Sequence, residues 1–313
     1  MSTISFDGAD AVTTAWNEQS RWSEAANQLK ASLTLWRDLA AIAGVLGAIL
    51  ATLAATIPHD AQQWRWLRIG SAISGAIVLA LVPYLLKFKA SKEQVSNWVR
   101  ARSAAEALKE NVFRFLTGAP PYGPAPSPRE LIRRCELVQN NVEDLSIYAA
   151  RATSGAKPVP QIATVDEYVT KRVNQQIEEY YLPQGAKNSR AAARFQNIEF
   201  LLGAVAVILG AISSVAVLKD MPQAAAFGPW VAVFTTATAA VTAHLAASRF
   251  VRQAITYYGT AGRLRSLRDE WLATPDRTTP ECVSKFVDDC EHAISTENEA
   301  WLTEWQRELP KKS

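Results

Sequence analysis

Three threonines and one histidine in a single apolar stretch are the residues whose types and spacing suit ion or proton movement. Thr235, Thr238 and Thr242 stand three and four residues apart in the uncharged run 227–248, so a helix places their hydroxyls on one face leading toward Arg249. A line of hydroxyls is what a pore offers a passing ion or water. The competing reading, favoured by the residue types, is that threonines bond carbonyls one turn back or a neighbouring helix, while the alanines between them allow close packing. His244 lies in the same run, within two turns of Arg249. An ionisable group inside an apolar span suggests a functional role, although this position also suits an interfacial histidine. Asp38 and Glu199 stand at the starts of two other apolar runs. In an oligomer they would form an acidic ring favouring cations; alone they are carboxylates well placed on a helix dipole.

Covalent chemistry finds no comparable pattern. The sequence has no Gly-rich phosphate loop, no His-Glu-x-x-His and no Gly-x-Ser-x-Gly, and its three histidines are scattered. The acids of the polar segments fall opposite the apolar seams and read as solvated faces. Cys282 and Cys290 lie too far apart for a paired metal knuckle, and His292 adds no second pair. With Cys135 they are expected to stay reduced. No enzyme activity, metal or cofactor is expected.

The elements that must position these residues are four apolar runs. Residues 39–57 carry no charge, a polar turn with Trp64-Arg65-Trp66 follows, and residues 69–86 are again uncharged until Lys87. At about 1.5 Å per residue each run spans roughly 27–29 Å, the thickness of a bilayer's hydrocarbon core. Only helices satisfy every backbone amide within such a segment. The device recurs at 200–218 and 227–248, joined by a turn at Lys219-Asp220-Met221-Pro222, and Leu-Gly-Ala-Ile occurs at both 46–49 and 209–212. The fold class predicted is therefore an all-α membrane protein of two tandem transmembrane hairpins with helical extensions. Its organisation reads as a first repeat 1–151, a linker 152–164 and a second repeat 165–313.

The net charge of +3 is too small to argue for nucleic acid, but its distribution is informative. Residues 87–114 carry seven Lys/Arg against three Glu, and residues 249–268 carry five Arg and no acid. The positive-inside rule then places both termini and the middle segment in the cytoplasm, with the two turns outside. Trp36, Trp64, Trp66 and Trp230 fall at span ends, as interfacial anchors do. The first 38 residues are expected to be helical rather than a cleavable signal.

Helical periodicity continues outside the spans. Trp22, Ala26, Leu29, Leu33 and Trp36 step by four and three, and Val95, Trp98, Ala105, Leu108, Val112 and Phe115 keep the same register with one double step of seven. The Pro-rich run 117–128 breaks the second of these. Leu131, Cys135, Val138, Val142, Leu145 and Ala149 predict one further helix; Val169, Val173, Ile177 and Tyr180 predict a short one before Pro183. Ala254, Tyr257, Ala261, Leu264 and Trp271, then Val283, Val287, Cys290, Ile294 and Trp301, line the last two. Several seam residues recur at a constant offset of 156 (Trp98 and Ala254, Leu108 and Leu264), and Cys135-Glu136 answers Cys290-Glu291 at 155. Within the spans, Gly44, Gly47 and Ala48, Gly70, Ser74 and Gly75, and Gly210 supply small residues for close helix approach.

The run Tyr168-Val-Thr-Lys-Arg172-Val-Asn-Gln-Gln176-Ile-Glu-Glu-Tyr180 ahead of the second hairpin resembles the entry of the SLATT domains. These are the two-transmembrane effectors associated with SMODS and SLOG proteins, a group overlapping the bacterial family DUF4231. Tyr257-Tyr-Gly-Thr-Ala-Gly-Arg-Leu264 and Glu297-Asn-Glu-Ala-Trp301 fit the same pattern. Tyr168, Arg172, Gln176, Tyr180 and Trp301 are thus the family-motif positions. The first half keeps the architecture without the Arg-x3-Gln signature and reads as a divergent copy. The resemblance implies a bacterial inner-membrane effector of conflict systems that opens a pore, as a homo-oligomer in lipid, once a sensor protein or nucleotide signal acts in trans. The alternative is a non-conducting membrane scaffold; a third reading makes the apolar runs the buried core of a soluble bundle.

Overall fold

In the computed structural model, the described residues are 8–58, 62–152, 158–219, 221, 224, 226–275, 277 and 279–307, with side chains described through 296. Turn residues 59–61, 220, 222 and 223, the middle of the linker and the side chain of Trp301 lie outside them. Among the described residues every regular element is a helix: α1 (Gly8–Thr56), α2 (Arg65–Tyr84), α3 (Lys92–Thr117), α4 (Pro128–Asn140), α5 (Ser146–Arg151), a helical segment from Val165 to Tyr181, α7 (Leu182–Leu218), α8 (Gly228–Ser248), α9 (Phe250–Ala273) and α10 (Pro280–Arg307). The Val165–Tyr181 segment is α6. Four of these helical stretches are long and apolar enough to cross a membrane.

The chain divides into two compact units, each drawing on both halves of the sequence. The hairpin unit takes Ser32–Ser91 and Lys187–Gln253; the polar unit takes Met1–Ala31, Lys92–Ala186 and Ala254–Ser313.

In the hairpin unit the apolar windows face outward. Only 6–17% of each span's most apolar window is buried, and Phe200, Val207, Leu218 and Ile42 are largely exposed. A soluble bundle would turn these side chains inward, because each buried large aliphatic contributes about 1.5–3 kcal/mol. What holds the helices together is small-residue packing. A Cβ on Gly75 would meet the Ala51 amide nitrogen and Leu50 Cβ at 3.2 Å, and one on Gly47 would meet Leu79 at 2.6 Å. The backbones of α1 and α2 therefore close on each other at this pair. Ser71, one turn from Gly75, is buried with it. Gly44 and Gly70 have no atom within 4 Å of such a Cβ, and Gly210 has only Val231 at 3.9 Å. Ser74 is exposed and Ala48 half-buried. The Thr52 hydroxyl donates to the Pro229 carbonyl (3.4 Å), linking α1 to the start of α8.

Span four ends at a break. Arg249 adopts φ 50°, the left-handed region normally left to glycine, and α9 starts at the next residue. Holding a non-glycine residue there costs on the order of 1–3 kcal/mol. The surrounding bonds fix it: Arg249 N–H donates to Leu245 O (3.0 Å), and the Gln253 side-chain amide donates to the freed Ser248 carbonyl (2.7 Å).

In the polar unit the expected seams form the core. Trp22, Ala26, Leu29 and Leu33 of α1 are buried, the last just past the unit's boundary, as are Val95, Trp98, Ala105, Leu108, Val112 and Phe115 of α3 and Ala254, Tyr257, Ala261, Leu264 and Trp271 of α9. The main packing is α10 along α3, with α4 also on α3. Two expectations change. The helix expected through Ala149 stops at Asn140, though Val142, Leu145 and Ala149 stay buried across a short 3-10 turn and α5. Arg100 secures that stop by donating to Asn141 O (3.1 Å) and to both Asp144 oxygens (2.7 and 2.6 Å), capturing a carbonyl the broken helix leaves unpaired. Tyr181 rather than Tyr180 is the buried ring at the end of the Val165–Tyr181 segment. That segment is wound as π-helix over Val169–Asn174 and Gln176–Tyr181. The wider turn keeps Val169, Val173, Ile177 and Tyr181 on one face at a uniform step of four.

Gly75→Val is expected to lower the unfolding free energy in detergent by about 1–3 kcal/mol, because the side chain has no room beside Ala51. Gly70→Val should lie within about 0.5 kcal/mol of wild type. Denaturant titration followed by circular dichroism measures both.

Candidate functional site

The segment that begins at Val165 is started by a capping box. Thr164 Oγ1 accepts from Glu167 N–H (3.2 Å), and the Glu167 carboxylate accepts from Ala163 N–H (2.6 Å). That backbone bond, with Lys171, holds the Glu167 carboxyl below its usual range. Tyr168 and Arg172 then lie one turn apart on the inner face, and both are fully buried.

Their shared partner is Glu291 of α10. Arg172 Nε donates to Glu291 Oε1 (2.9 Å) and Nη2 to Oε2 (2.7 Å), a two-bond fork, while the Tyr168 hydroxyl donates to Oε1 (2.9 Å). Glu291 is 0% exposed and Arg172 1%. The Phe113 ring of α3 lies 4.6 Å from the guanidinium carbon. Around this pair runs an aromatic chain, with Phe113 edge-on to Tyr168, Tyr168 edge-on to Phe286, and Phe286 stacked on Trp271 at 4.6 Å. Burial by itself would lower the Arg172 guanidinium, but the facing Glu291 carboxylate raises it above its ordinary value. Burial, then the Glu291 charge, pushes the Tyr168 hydroxyl well up. Both therefore stay protonated as donors. The site is built to lock three helices together.

Glu291 corrects the expectation that the acids of these helices are all solvated. It lies four residues past Val287, on the α10 seam, and the recurrence of Cys-Glu at 135–136 and 290–291 was the available signal. Its counterpart Glu136 is exposed, so the dipeptide alone does not distinguish the two. A second ion pair ties α3 to α10: Arg114 bonds Glu110 (2.7 Å) and Asp288. Burial raises the Glu110 carboxyl despite Arg114.

The other motif residues sit further along. The Tyr180 hydroxyl accepts from Arg102 Nη2 (3.0 Å), and its ring meets Tyr181 and Tyr257 edge-on. Gln176 is half-buried beside it. Gly185 leaves room for Tyr258, whose ring would be 3.0 Å from a Cβ there.

The polar residues of the spans form a separate cluster within the hairpin unit. The hydroxyls of Thr235, Thr238 and Thr242 donate to the carbonyls of Val231, Phe234 and Thr238, at 2.8, 2.8 and 3.0 Å. Thr242 also bonds the Glu199 carboxylate. His244 Nδ1 lies 3.5 Å from Asp38 Oδ1, and its ring packs 4.7 Å from Phe195. Two pairs from four candidate residues therefore gather at one end of the spans, and the threonine face higher up is bonded to its own helix.

The thiols differ in access. Burial raises Cys135 to about 11 and pushes Cys290 up as well, while Cys282 is half-buried.

Residues 168–301 match the family described as SMODS and SLOG-associating 2TM effector domain 1, and residues 19–130 match Protein of unknown function (DUF4231). The two halves thus answer to two different family descriptions, which narrows the expectation of two copies of one domain. No curated protein and no solved structure matches the chain.

Removing either charge alone leaves the other buried and unpaired. Arg172→Ala and Glu291→Ala should each cost about 3–5 kcal/mol in unfolding free energy. The triple change Tyr168→Phe, Arg172→Met, Glu291→Leu should recover most of that loss in the same denaturation assay. At pH 8, iodoacetamide followed by mass spectrometry should modify Cys282 well before Cys135 or Cys290 in the folded protein, because raised, buried thiols hold little thiolate.

Proposed function

We propose that this membrane protein is an oligomeric bacterial inner-membrane effector that opens a conducting path when its polar unit, on the cytoplasmic side, receives a signal. The observation that carries this reading is the outward apolar surface of four spans, together with the match of 168–301 to a two-transmembrane effector domain. Lipid and further copies of the chain cover that surface. The reading assigns the protein no catalytic step and no cofactor; a sensor protein or small signal acts in trans. The positive-inside distribution supports cytoplasmic termini. Asp38, His244, Glu199 and Thr242 form the inner mouth, where carboxylates favour cations.

One observation favours the second reading, a non-conducting scaffold: the Thr235 and Thr238 hydroxyls are bonded within their own helix. Purified protein in liposomes separates the two. A channel releases entrapped potassium well above the rate of empty vesicles, and Glu199→Gln with Asp38→Asn reduces cation over anion selectivity. Vesicles that stay tight at every protein density, with the same oligomer present, leave the scaffold.

A further inference from the structure

Arg37 stands two residues before the first uncharged run, at the Lys/Arg-rich end of the hairpin unit. It is half-buried, and among the described residues no hydrogen bond or ion pair holds it. The charge that bears on its guanidinium is a second cation, Arg249, at the end of span four. Two guanidiniums brought together away from bulk water repel more strongly than at an open surface. Arginine does not escape by losing its proton. The carboxylates at this level do not offset the repulsion. Asp38 lies 3.5 Å from His244, Glu199 is bonded by Thr242, and neither bears on Arg37. A third cation stands on the same hairpin, where Lys89 Nζ rests 5.4 Å from the centre of the Trp36 ring. Arg37 therefore has a like charge beside it and no anion of its own among the described residues.

The surroundings decide which anion fits. Leu35, Leu39 and Ile42 flank Arg37 on α1 and are 54, 38 and 62% exposed, so apolar surface borders this turn. A long side chain on a helix leans toward the N-terminus, which from residue 37 leads away from the span to headgroup depth. On the span side of Arg37, one face of α1 carries Ala41, Gly44 and Ala48 at steps of four, three and four. A Cβ on Gly44 would meet no atom within 4 Å, so this face leaves room for an acyl chain. A phosphodiester matches the guanidinium fork, and basic pockets between spans suit acidic headgroups. We infer that Arg37, with the Arg249 charge beside it, holds the phosphate of an acidic phospholipid, one acyl chain lying along Ala41, Gly44 and Ala48. Such a site rests on the membrane placement of the spans and not on conduction.

The test is native mass spectrometry and thermal unfolding of the full-length protein, delipidated in neutral detergent. It is titrated with dioleoyl-phosphatidylglycerol, dioleoyl-phosphatidylcholine or inorganic phosphate. One phosphatidylglycerol per chain is expected to bind saturably and raise Tm, as a ligand of the native state does. Phosphatidylcholine should bind at least roughly tenfold more weakly, and phosphate should not displace the acidic lipid. Arg37→Gln should weaken phosphatidylglycerol binding by roughly tenfold or more, through loss of a charge-assisted contact. In lipid-free detergent the same variant should melt no lower than wild type, because it removes a repulsion and no bond. Gly44→Leu, which fills the open face, should weaken binding too, while Arg65→Gln, at the opposite ends of the spans, should leave it unchanged. Equal binding of the two lipids, or of neither, overturns the assignment. So does displacement by phosphate, which would make the site one for soluble anions, and so does binding unchanged by Arg37→Gln or lowered as much by Arg65→Gln. A lower Tm for Arg37→Gln without lipid makes Arg37 a structural residue instead, and binding unchanged by Gly44→Leu overturns the acyl chain's place. Potassium release plays no part in these readouts, so a protein that leaves vesicles tight still passes or fails on them.

Discussion

Placing a guanidinium and a carboxylate where water cannot reach them removes several kcal/mol of hydration from each, and only close, well-oriented pairing offsets that. Arg172 and Glu291 meet this condition with a two-bond fork, a third bond from Tyr168 and an aromatic ring against the guanidinium. The geometry leaves little freedom. If α10 slid by one residue against the Val165–Tyr181 segment, both charges would be stranded, so the pair fixes register more strongly than it adds stability. Phe113 brings α3 into the same arrangement, and Phe286 and Trp271 carry it to α9. The polar unit has an aliphatic core like that of many helical bundles; this polar lock makes its packing specific.

The π-winding belongs to the same arrangement. It keeps Tyr168 and Arg172, four residues apart, both on the buried side, and it turns Tyr181 inward while Tyr180 stays half-exposed beside Arg102. Pro183 follows within two residues of its end, where a widened turn tolerates a missing donor.

Much of this architecture is written in spacing. The four uncharged runs, the seams of α3 and α9 and the stop at the Pro-rich stretch follow from period and proline chemistry, which act locally. The buried lock does not, because its two charges lie 119 residues apart in sequence and a glutamate between a cysteine and a histidine, just past Asp288-Asp289, looks solvated from its neighbours alone. The π-winding was hidden for a related reason: a step of four followed by one of three fits an ordinary helix just as well. Nor does sequence show that Gly47 and Gly75, rather than Gly44 and Gly70, meet across the first hairpin, since that depends on which face each helix turns to the other. The left-handed Arg249 occupies a site where statistics expect glycine; the surrounding bonds to Leu245 and Gln253 help to hold it.

Because each compact unit takes pieces from both sides of the segment between Arg151 and Val165, neither side holds a complete core. The peptide connection turns what would otherwise be an encounter between separate molecules into an intramolecular event. Short tethers supply effective concentrations on the order of millimolar, far above the abundance of a sparse membrane protein. Completion of both cores is thereby made independent of expression level.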